Sequence, residues 1–310
     1  MTIVISHAPA YLTVQDMGRQ GYLAQGVPRG GAMDRWSLAA LNCMIGNSRG
    51  AAGLEWALSG GSLEFRGACT FAVGGAEAIC HLNGAAVEPY RALIAKAGDT
   101  LAIERITNGR FLYIAIATGI ASDPLLGSRS TYVAGGFGGM DGRRLRSGDA
   151  LEIGAERSPA RRHQVIDPLP HRMRPPTLRE KIRIVTRSFG ADDVSGDLEN
   201  HGFAVSTASD RTGYRLDGPA STDGASVTSE PVCPGVIQLP PAGAPIVLMA
   251  DAPTIGGYRI LGAVISADLG SFAQNAPGDI VHFESTGIRS AQAGLRRCEE
   301  NLFEITDWAR

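Results

Sequence analysis

Turn residues end nearly every apolar run of this chain before it grows long. The sequence holds 40 glycines and 17 prolines among 310 residues. That much punctuation suits many short strands joined by tight turns, not a helical bundle. Leu63 to Phe65, Thr70 to Val73, Ala78 to Leu82 and Leu101 to Ile106 read as such strands. Asn83-Gly84 is a hairpin signal, because both residues tolerate the positive φ of a type I′ turn. Ala97-Gly98-Asp99-Thr100, Ser147-Gly148-Asp149-Ala150 and Pro277-Gly278-Asp279 read as turns that feed strands.

Two segments carry helical spacing. Asp34 can cap a helix that runs to Ile45 and stops at Gly46-Asn47, with Trp36, Ala39, Ala40 and Met44 on its apolar face. Near the end, Ala291, Leu295, Cys298, Leu302 and Ile305 recur at helical intervals, which predicts a packed helix over Thr286 to Trp308. Between Glu156 and Arg179 proline and arginine accumulate, and prolines cannot join a central sheet. The expected organisation is two mostly β subdomains, 1–156 and 180–310, with a Pro/Arg-rich linker over 157–179. A faint echo between Gln15-Asp16…Gly18 and Ser209-Asp210…Gly213 hints that the halves are related.

Charge and composition remove several classes of function. A formal net charge of −2 argues against general nucleic-acid binding, which needs a basic field. No apolar run reaches the roughly 18 residues of a membrane span, and Phe111 to Ala121 reads as a buried strand. Met1 leads straight into the strand-like Thr2 to Ile5, so no signal peptide is read. The five cysteines are odd in number and scattered, which disfavours a disulfide framework and fits a cytoplasmic protein. Lys96 and Lys181 are the only lysines, so nearly all cationic chemistry falls to arginine.

Polar residues gather beside glycines at several turns. Gln15-Asp16-Met17-Gly18-Arg19 is either a turn capped by its own Asp or a carboxylate and amide aimed into a cleft. Ser128-Arg129-Ser130-Thr131 offers hydroxyls and a guanidinium, which suit a carboxylate or phosphate; a hydroxyl-rich strand entry is the plainer reading. Asp210-Arg211-Thr212-Gly213-Tyr214-Arg215 is either a ligand cluster or an internal ion pair at a hairpin. Asp251 follows the apolar run Ile246 to Met249 and precedes Thr254-Ile255-Gly256-Gly257-Tyr258, a position suited to a cleft rim.

Familiar devices are missing. No Gly-Lys pair exists, so there is no Walker A loop. Gly135 to Gly139 opens no predicted helix, which excludes a dinucleotide fingerprint. The histidines lack zinc-ligand spacing, no Cys-x-x-Cys occurs, and no Gly-x-Ser-x-Gly elbow is present. Without a Met-Lys-Met acceptor sequence, no biotin is expected on this chain.

Taken together, the ordered blocks resemble the allophanate hydrolase subunit 2 family, also called the biotin-dependent carboxyltransferase family. They run from Gln15-Asp16…Gly18-Arg19…Gly21 and Gly31-Ala32-Met33-Asp34 through Leu54-Glu55, Leu126 to Thr131 and Ser209 to Leu216. They continue through Gln238, Pro245 to Asp251, Gly256-Gly257-Tyr258, Asp268, Gln274 and Pro277-Gly278-Asp279. Thr212 and Pro231-Val232 stand where the family usually has Met and an early Gly.

The resemblance implies two cyclophilin-like β-barrel subdomains with a few helices, including one at the C-terminus. It implies one component of an ATP-dependent 5-oxoprolinase that opens 5-oxo-L-proline to L-glutamate, with ATP and Mg²⁺ bound here or jointly with a partner. Phosphorylating the lactam oxygen would create a leaving group and an electrophilic carbon for water. The implied partners are a subunit-1, KipI-like protein (the B component of 5-oxoprolinase) and a LamB/YcsF-type protein (its A component).

Carried onto this chain, Asp16, Arg129, Asp210, Arg211 and Asp251 become candidate catalytic residues. Gln15, Arg19, Ser128, Ser130, Thr131, Tyr214, Gln238 and Tyr258 become candidate substrate contacts. Arg129 and Arg211 would hold a carboxylate or phosphoryl group, and Asp16 and Asp251 would bind metal or orient the amide. Replacing Arg211 by Ala should then lower turnover far more than stability. Carboxyl transfer from carboxybiotin to urea, and KipA-like binding of a kinase inhibitor, are the competing expectations.

Overall fold

The computed structural model describes residues 1–154, 168–187, 195–219 and 226–309. Its first half contains β1 (Thr2–His7), β2 (Tyr11–Gln15), α1 (Arg35–Met44), β3 (Gly53–Ala57), β4 (Gly61–Phe65) and β5 (Cys69–Leu82). It continues with β6 (Ala85–Ala86), β7 (Leu93–Ala95), β8 (Thr100–Ile116) and β9 (Ala150–Glu152). The second half contains β10 (Ile182–Thr186), α2 (Ser195–Asn200), β11 (Gly202–Val205), β12 (Gly213–Asp217), β13 (Ser226–Pro231) and β14 (Val236–Leu239). It ends with β15 (Ile246–Leu248), β16 (Ile255–Val264), α3 (Leu269–Ala273), β17 (Ile280–Ser285) and α4 (Ile288–Trp308). The mostly β architecture and the terminal helix expected from the sequence are both present.

The halves solve the edge problem differently. In the second, the order β10-β17-β11-β12-β15-β14-β16 returns through a β10–β16 pairing and closes a barrel, with β13 added outside on β16. Closure leaves the seven barrel strands no free edge. The first half is a curled sheet in the order β2-β3-β8-β4-β1-β9, with β5, β6 and β7 on the remaining side. β8 is its spine: one edge pairs with β4 and then β3, and the other runs along β5.

β5 and β8 are longer than their sequence predicts. Thr70 to Val73 and Ala78 to Leu82 form one strand, because the ladder shifts register after Gly75 instead of ending. Gly75 takes φ +94°, and a Cβ there would stand 2.6 Å from the Phe111 carbonyl oxygen. A bulge of this kind bends the strand without stopping it. Leu101 to Ile106 and the Phe111 run likewise fuse into β8. Asn83 and Gly84 both adopt positive φ at the β5–β6 hairpin, as a type I′ turn requires.

One apolar core joins the halves. Leu41 and Met44 of α1, Phe111 and Tyr113 of β8, Tyr214 and Leu216 of β12, Phe272 of α3, and Leu302 and Ile305 of α4 belong to it. The Asp34 side chain caps α1 by accepting from the Ser37 N–H. The proline-rich stretch is described only from 168 onward. There Leu169 and Met173 are buried in the shared core, and Thr177 Oγ1 donates to the Gly75 carbonyl at 3.0 Å. Its described part is thus a strap packed on both halves. Among the described residues no helix is long and apolar enough to cross a membrane.

The turn before β9 shows how one acid orders a strand entry. Asp149 accepts two N–H groups from Arg143, at 2.7 and 2.9 Å, and the Arg146 backbone N–H at 2.7 Å. Its backbone carbonyl accepts from Ile5, which docks the turn on β1. Arg143 holds the Asp149 carboxyl below the usual carboxylate range. A depressed pKa stabilises the fold above the unfolded value of about 4 and is lost as pH falls through the lower folded value. Asp149→Asn should therefore lose about 1.5–3 kcal/mol at neutral pH. Urea melts should show that gap narrowing as the pH drops below about 4.

A candidate anion site at the junction of the halves

Beneath the junction lies a buried ion network. Glu55 on β3 is fully buried, and Arg211 and Asp251 are nearly so. Arg211 reaches Asp251 with both arms of its fork: Nε donates to Oδ2 at 2.8 Å and Nη2 to Oδ1 at 2.9 Å. Its Nη1 donates to Glu55 Oε1 at 2.5 Å, and Nη2 also to the Gly31 carbonyl at 2.7 Å. The other Glu55 oxygen accepts from Tyr113 OH at 2.9 Å and the Met33 N–H at 2.8 Å. Burial alone would lower the Arg211 pKa, yet Asp251 and Glu55 hold it well above its ordinary value. Burial pushes the Glu55 carboxyl up, while Arg211 opposes that shift. Glu55 comes from the first half and its ion-pair network from the second, so the charges span the junction.

Asp16 is the second node. Its Oδ1 accepts from the Gly18 N–H at 2.8 Å, Ser128 Oγ at 2.7 Å and Ser130 Oγ at 2.5 Å. Its Oδ2 accepts from the Arg129 N–H at 2.6 Å. One carboxylate thereby fixes the turn after β2 to the 128–130 loop. Thr131 completes this seam, donating both its N–H and Oγ1 to the Val14 carbonyl. Gln15 donates its amide to Thr13 Oγ1 and the Thr131 carbonyl, leaving its Oε1 without a partner.

Above these nodes opens a cleft of about 840 Å³. Arg19, Arg29, Arg35 and Arg49 line it against one acid, Glu299. Arg19 is the buried member, with 2% of its surface exposed. Its Nη2 donates to the Ser130 carbonyl, and its guanidinium lies 4.7 Å from the centre of the Phe137 ring. Its Nε and Nη1 have no partner. A Cβ at Gly30 would stand 3.2 Å from Arg19 Nη1 and 3.7 Å from Asp251 Oδ1, so glycine there keeps the space between them open. Arg29 turns Nε and Nη2 toward the Gln20 amide oxygen, at 3.0 and 2.8 Å in the amide orientation that satisfies both groups. Burial pushes Arg35 down to about 10, and the neighbouring Arg29 and Arg49 charges add to that shift. Arg49 pairs with Glu299. Guanidinium groups crowded this way, with Arg19 and Arg35 both short of partners, have the chemistry to hold a carboxylate or phosphate.

The structure gathers only part of the predicted site. Arg19 lines the cleft, Asp251 lies behind Gly30, and Arg211 donates to the Gly31 carbonyl. Asp16, Ser128, Ser130 and Thr131 form the seam behind Arg19. Arg129 turns its Nε to the Ser122 carbonyl. Asp210 is exposed and accepts from the Thr212 and Gly213 N–H groups, so it caps its own turn and takes no part in the ion pair of Arg211. Tyr214 is a core residue whose hydroxyl donates to the Ala273 carbonyl at 2.7 Å. Gln238 is buried beneath Gly256, with its Nε2 unpartnered. Tyr258 stands 40% exposed on β16, paired in register with Ser226. Arg29, Arg35 and Arg49 escaped the sequence reading because they come from separate segments with no shared motif.

Metal coordination by Asp16 or Asp251 does not fit this geometry. Four donors occupy Asp16, and both Asp251 oxygens face the Arg211 fork. Among the described residues no group of three His, Cys, Asp or Glu is placed to hold a metal ion. The donor set of the cleft is cationic, which fits the carboxylates and phosphates of substrates or nucleotides instead.

Residues 25–285 match the carboxyltransferase domain, subdomains A and B, and the chain belongs to that family. It is 34% identical to the C subunit of 5-oxoprolinase from Escherichia coli K12, over 98% of this chain and 97% of the relative. The corresponding protein of Haemophilus influenzae is also 34% identical, over 93% and 92%. The chain is 31% identical to urea amidolyase of Lachancea kluyveri, over 96% of its own length but 18% of that protein. The solved Kluyveromyces lactis urea carboxylase superposes with a TM-score of 0.89 at 27% identity, over 98% of this chain and 29% of that one.

Proposed function

We propose that this chain is one component of an ATP-dependent 5-oxoprolinase and that the arginine cleft holds the anionic groups of its substrates. The observation that carries the reading is Arg19, a buried guanidinium with two unpartnered N–H groups at an otherwise cationic cleft. The full-length similarity to the C subunit of 5-oxoprolinase supplies the substrate class. 5-Oxo-L-proline carries a carboxylate beside an unreactive lactam. Arg19 and Arg35 would hold that carboxylate or a phosphate, and Arg29 would extend the same field. Nucleotide would supply the phosphoryl group that activates the lactam oxygen. Mg²⁺ would arrive with the nucleotide or on residues of another protein in the complex, since Asp16 and Asp251 are occupied. The partners in this reading are the subunit-1, KipI-like protein and the LamB/YcsF-type protein.

The test is glutamate release from 5-oxo-L-proline with ATP and Mg²⁺, using this chain co-expressed with those two proteins. Release that vanishes when this chain is omitted is the expected outcome. A second reading, carboxyl transfer to urea, is favoured by the likeness to urea carboxylase. It requires that a carboxylated biotin carrier lose its CO₂ to urea in the presence of this chain. Such transfer, with no glutamate release from a folded complex, would replace the first reading.

A further inference from the structure

Trp36 and Leu302 also line a second cleft, of about 550 Å³, between the proline-rich strap and α4. The proposed function leaves it unused. Arg172, Arg174, Arg179 and Arg183 face it from the strap and β10, and Arg297 faces it from α4. Several of these cations are held in place. Asp268, with none of its surface exposed, accepts from Arg183 at its backbone N–H (3.0 Å), Nε (2.8 Å) and Nη2 (2.6 Å). The same carboxylate lies 3.1 Å from Arg179 Nε, so two guanidinium groups share one acid. Arg174 donates Nε to the Leu169 carbonyl at 2.7 Å and rests 5.6 Å from the centre of the Tyr90 ring. Its nearest acid is Glu88, at 4.0 Å, which also faces Arg91 at 3.5 Å. This wall of the cleft is therefore short of negative charge. On α4, Glu300 and Glu304 line the same space one turn apart. Arg172, Arg297, Glu300 and Glu304 are exposed, and none of them has an ion-pair partner among the described residues. Five arginines meet four carboxylates when buried Asp34 and Asp268 are counted, which leaves at least one positive charge over.

We propose that this second cleft is a binding site for a free acidic amino acid, separate from the first cleft. Unpaired charges of both signs around one cavity select the class. A phosphate or a plain dicarboxylate would satisfy the arginines and leave Glu300 and Glu304 unmatched. A polyamine or a metal cation would meet those two acids and be repelled by five guanidinium groups. An acidic amino acid carries two carboxylates and one ammonium, with a net charge of the sign the cleft lacks. Arg172, Arg297 and the shared Arg179 take the carboxylates, for which the guanidinium fork is suited. Glu300 and Glu304 take the ammonium. The charge argument stands without the reaction assigned to the first cleft. Only the choice of L-glutamate as the probe rests on that reading, whose product it is.

The experiment is calorimetric titration of the full chain with L-glutamate, glutarate and L-glutamine. Glutarate lacks the ammonium, and glutamine lacks the side-chain carboxylate. The expected result is saturable binding of one L-glutamate with a Kd of about 1 mM or tighter. Both analogues should bind at least about fivefold more weakly. Arg297→Gln and Glu304→Gln, both at exposed positions that the fold does not depend on, should each weaken L-glutamate by a similar factor. Arg35→Gln, in the first cleft alone, should leave the affinity unchanged. Weaker binding than this, or glutarate binding as tightly as L-glutamate, would overturn the proposal. So would binding that is lost in Arg35→Gln and kept in both α4 variants, which would place the ligand in the first cleft. Glutamate release by the assembled complex without binding at this cleft sinks this inference alone. Binding here without any glutamate release sinks only the proposed function.

Discussion

Arg211→Ala should lose about 3–5 kcal/mol of folding stability, along with activity. The mutation leaves Glu55 and Asp251 buried, at 0% and 7% exposure, without the guanidinium that both face. Two uncompensated carboxylates cost far more than the contacts removed. This outcome differs from the expectation drawn from sequence, in which turnover falls far more than stability. Chemical denaturation of the purified variant checks it. Adding Glu55→Gln should recover part of the loss, because one stranded charge is then neutral. A single mutant as stable as the parent would mean that water reaches the network and screens it.

Arg19→Met should behave in the opposite way, with a large loss of activity and a small loss of stability. The wild-type guanidinium makes one hydrogen bond within the protein, to the Ser130 carbonyl, and otherwise rests on Phe137. Losing that bond costs about 1–3 kcal/mol. Removing a buried, poorly partnered charge offsets part of it. The Nε and Nη1 groups have no partner in the protein; if they meet substrate as proposed, removing such a donor costs about 10²–10³ in turnover. Steady-state kinetics of the assembled complex, read beside a melting curve, separate the two effects. Arg19→Lys should not restore activity, since an ammonium cannot reproduce the planar fork. Normal turnover in Arg19→Met would remove this residue from the proposed site.

The contrast between these two arginines marks how far the sequence can be read. Both stand in conspicuous polar motifs, and local pattern gives no means of telling them apart. Burial of both was foreseeable from neither motif, because the partners of Arg211 lie in β3 and after β15. Features set by neighbours along the chain were legible. The cap at Asp34, the hairpin at Asn83-Gly84 and the periodicity of α4 all appear where local spacing puts them. The fusion of β5 was missed because a Gly-Gly pair reads as an ending until a partner strand absorbs it as a bulge. Asp16 looked like a reactive carboxylate because its four donors, three of them more than a hundred positions away, are invisible from the motif. Arg29, Arg35 and Arg49 become one site only when α1 and the surrounding loops meet at the cleft.

The ion network at the junction also bears on how this protein can be taken apart. Glu55 belongs to one half, while Arg211 and Asp251 belong to the other. Gln274 adds a second stitch, donating to Asp34 and accepting the Phe111 N–H across the same boundary. A polypeptide supplied as two fragments, ending at 154 and restarting at 168, would keep every one of these links. Each fragment alone would expose its share of the common core and strand its half of the stitches. Co-expressed, the pieces should assemble as a tight pair, which makes this a natural split-protein scaffold.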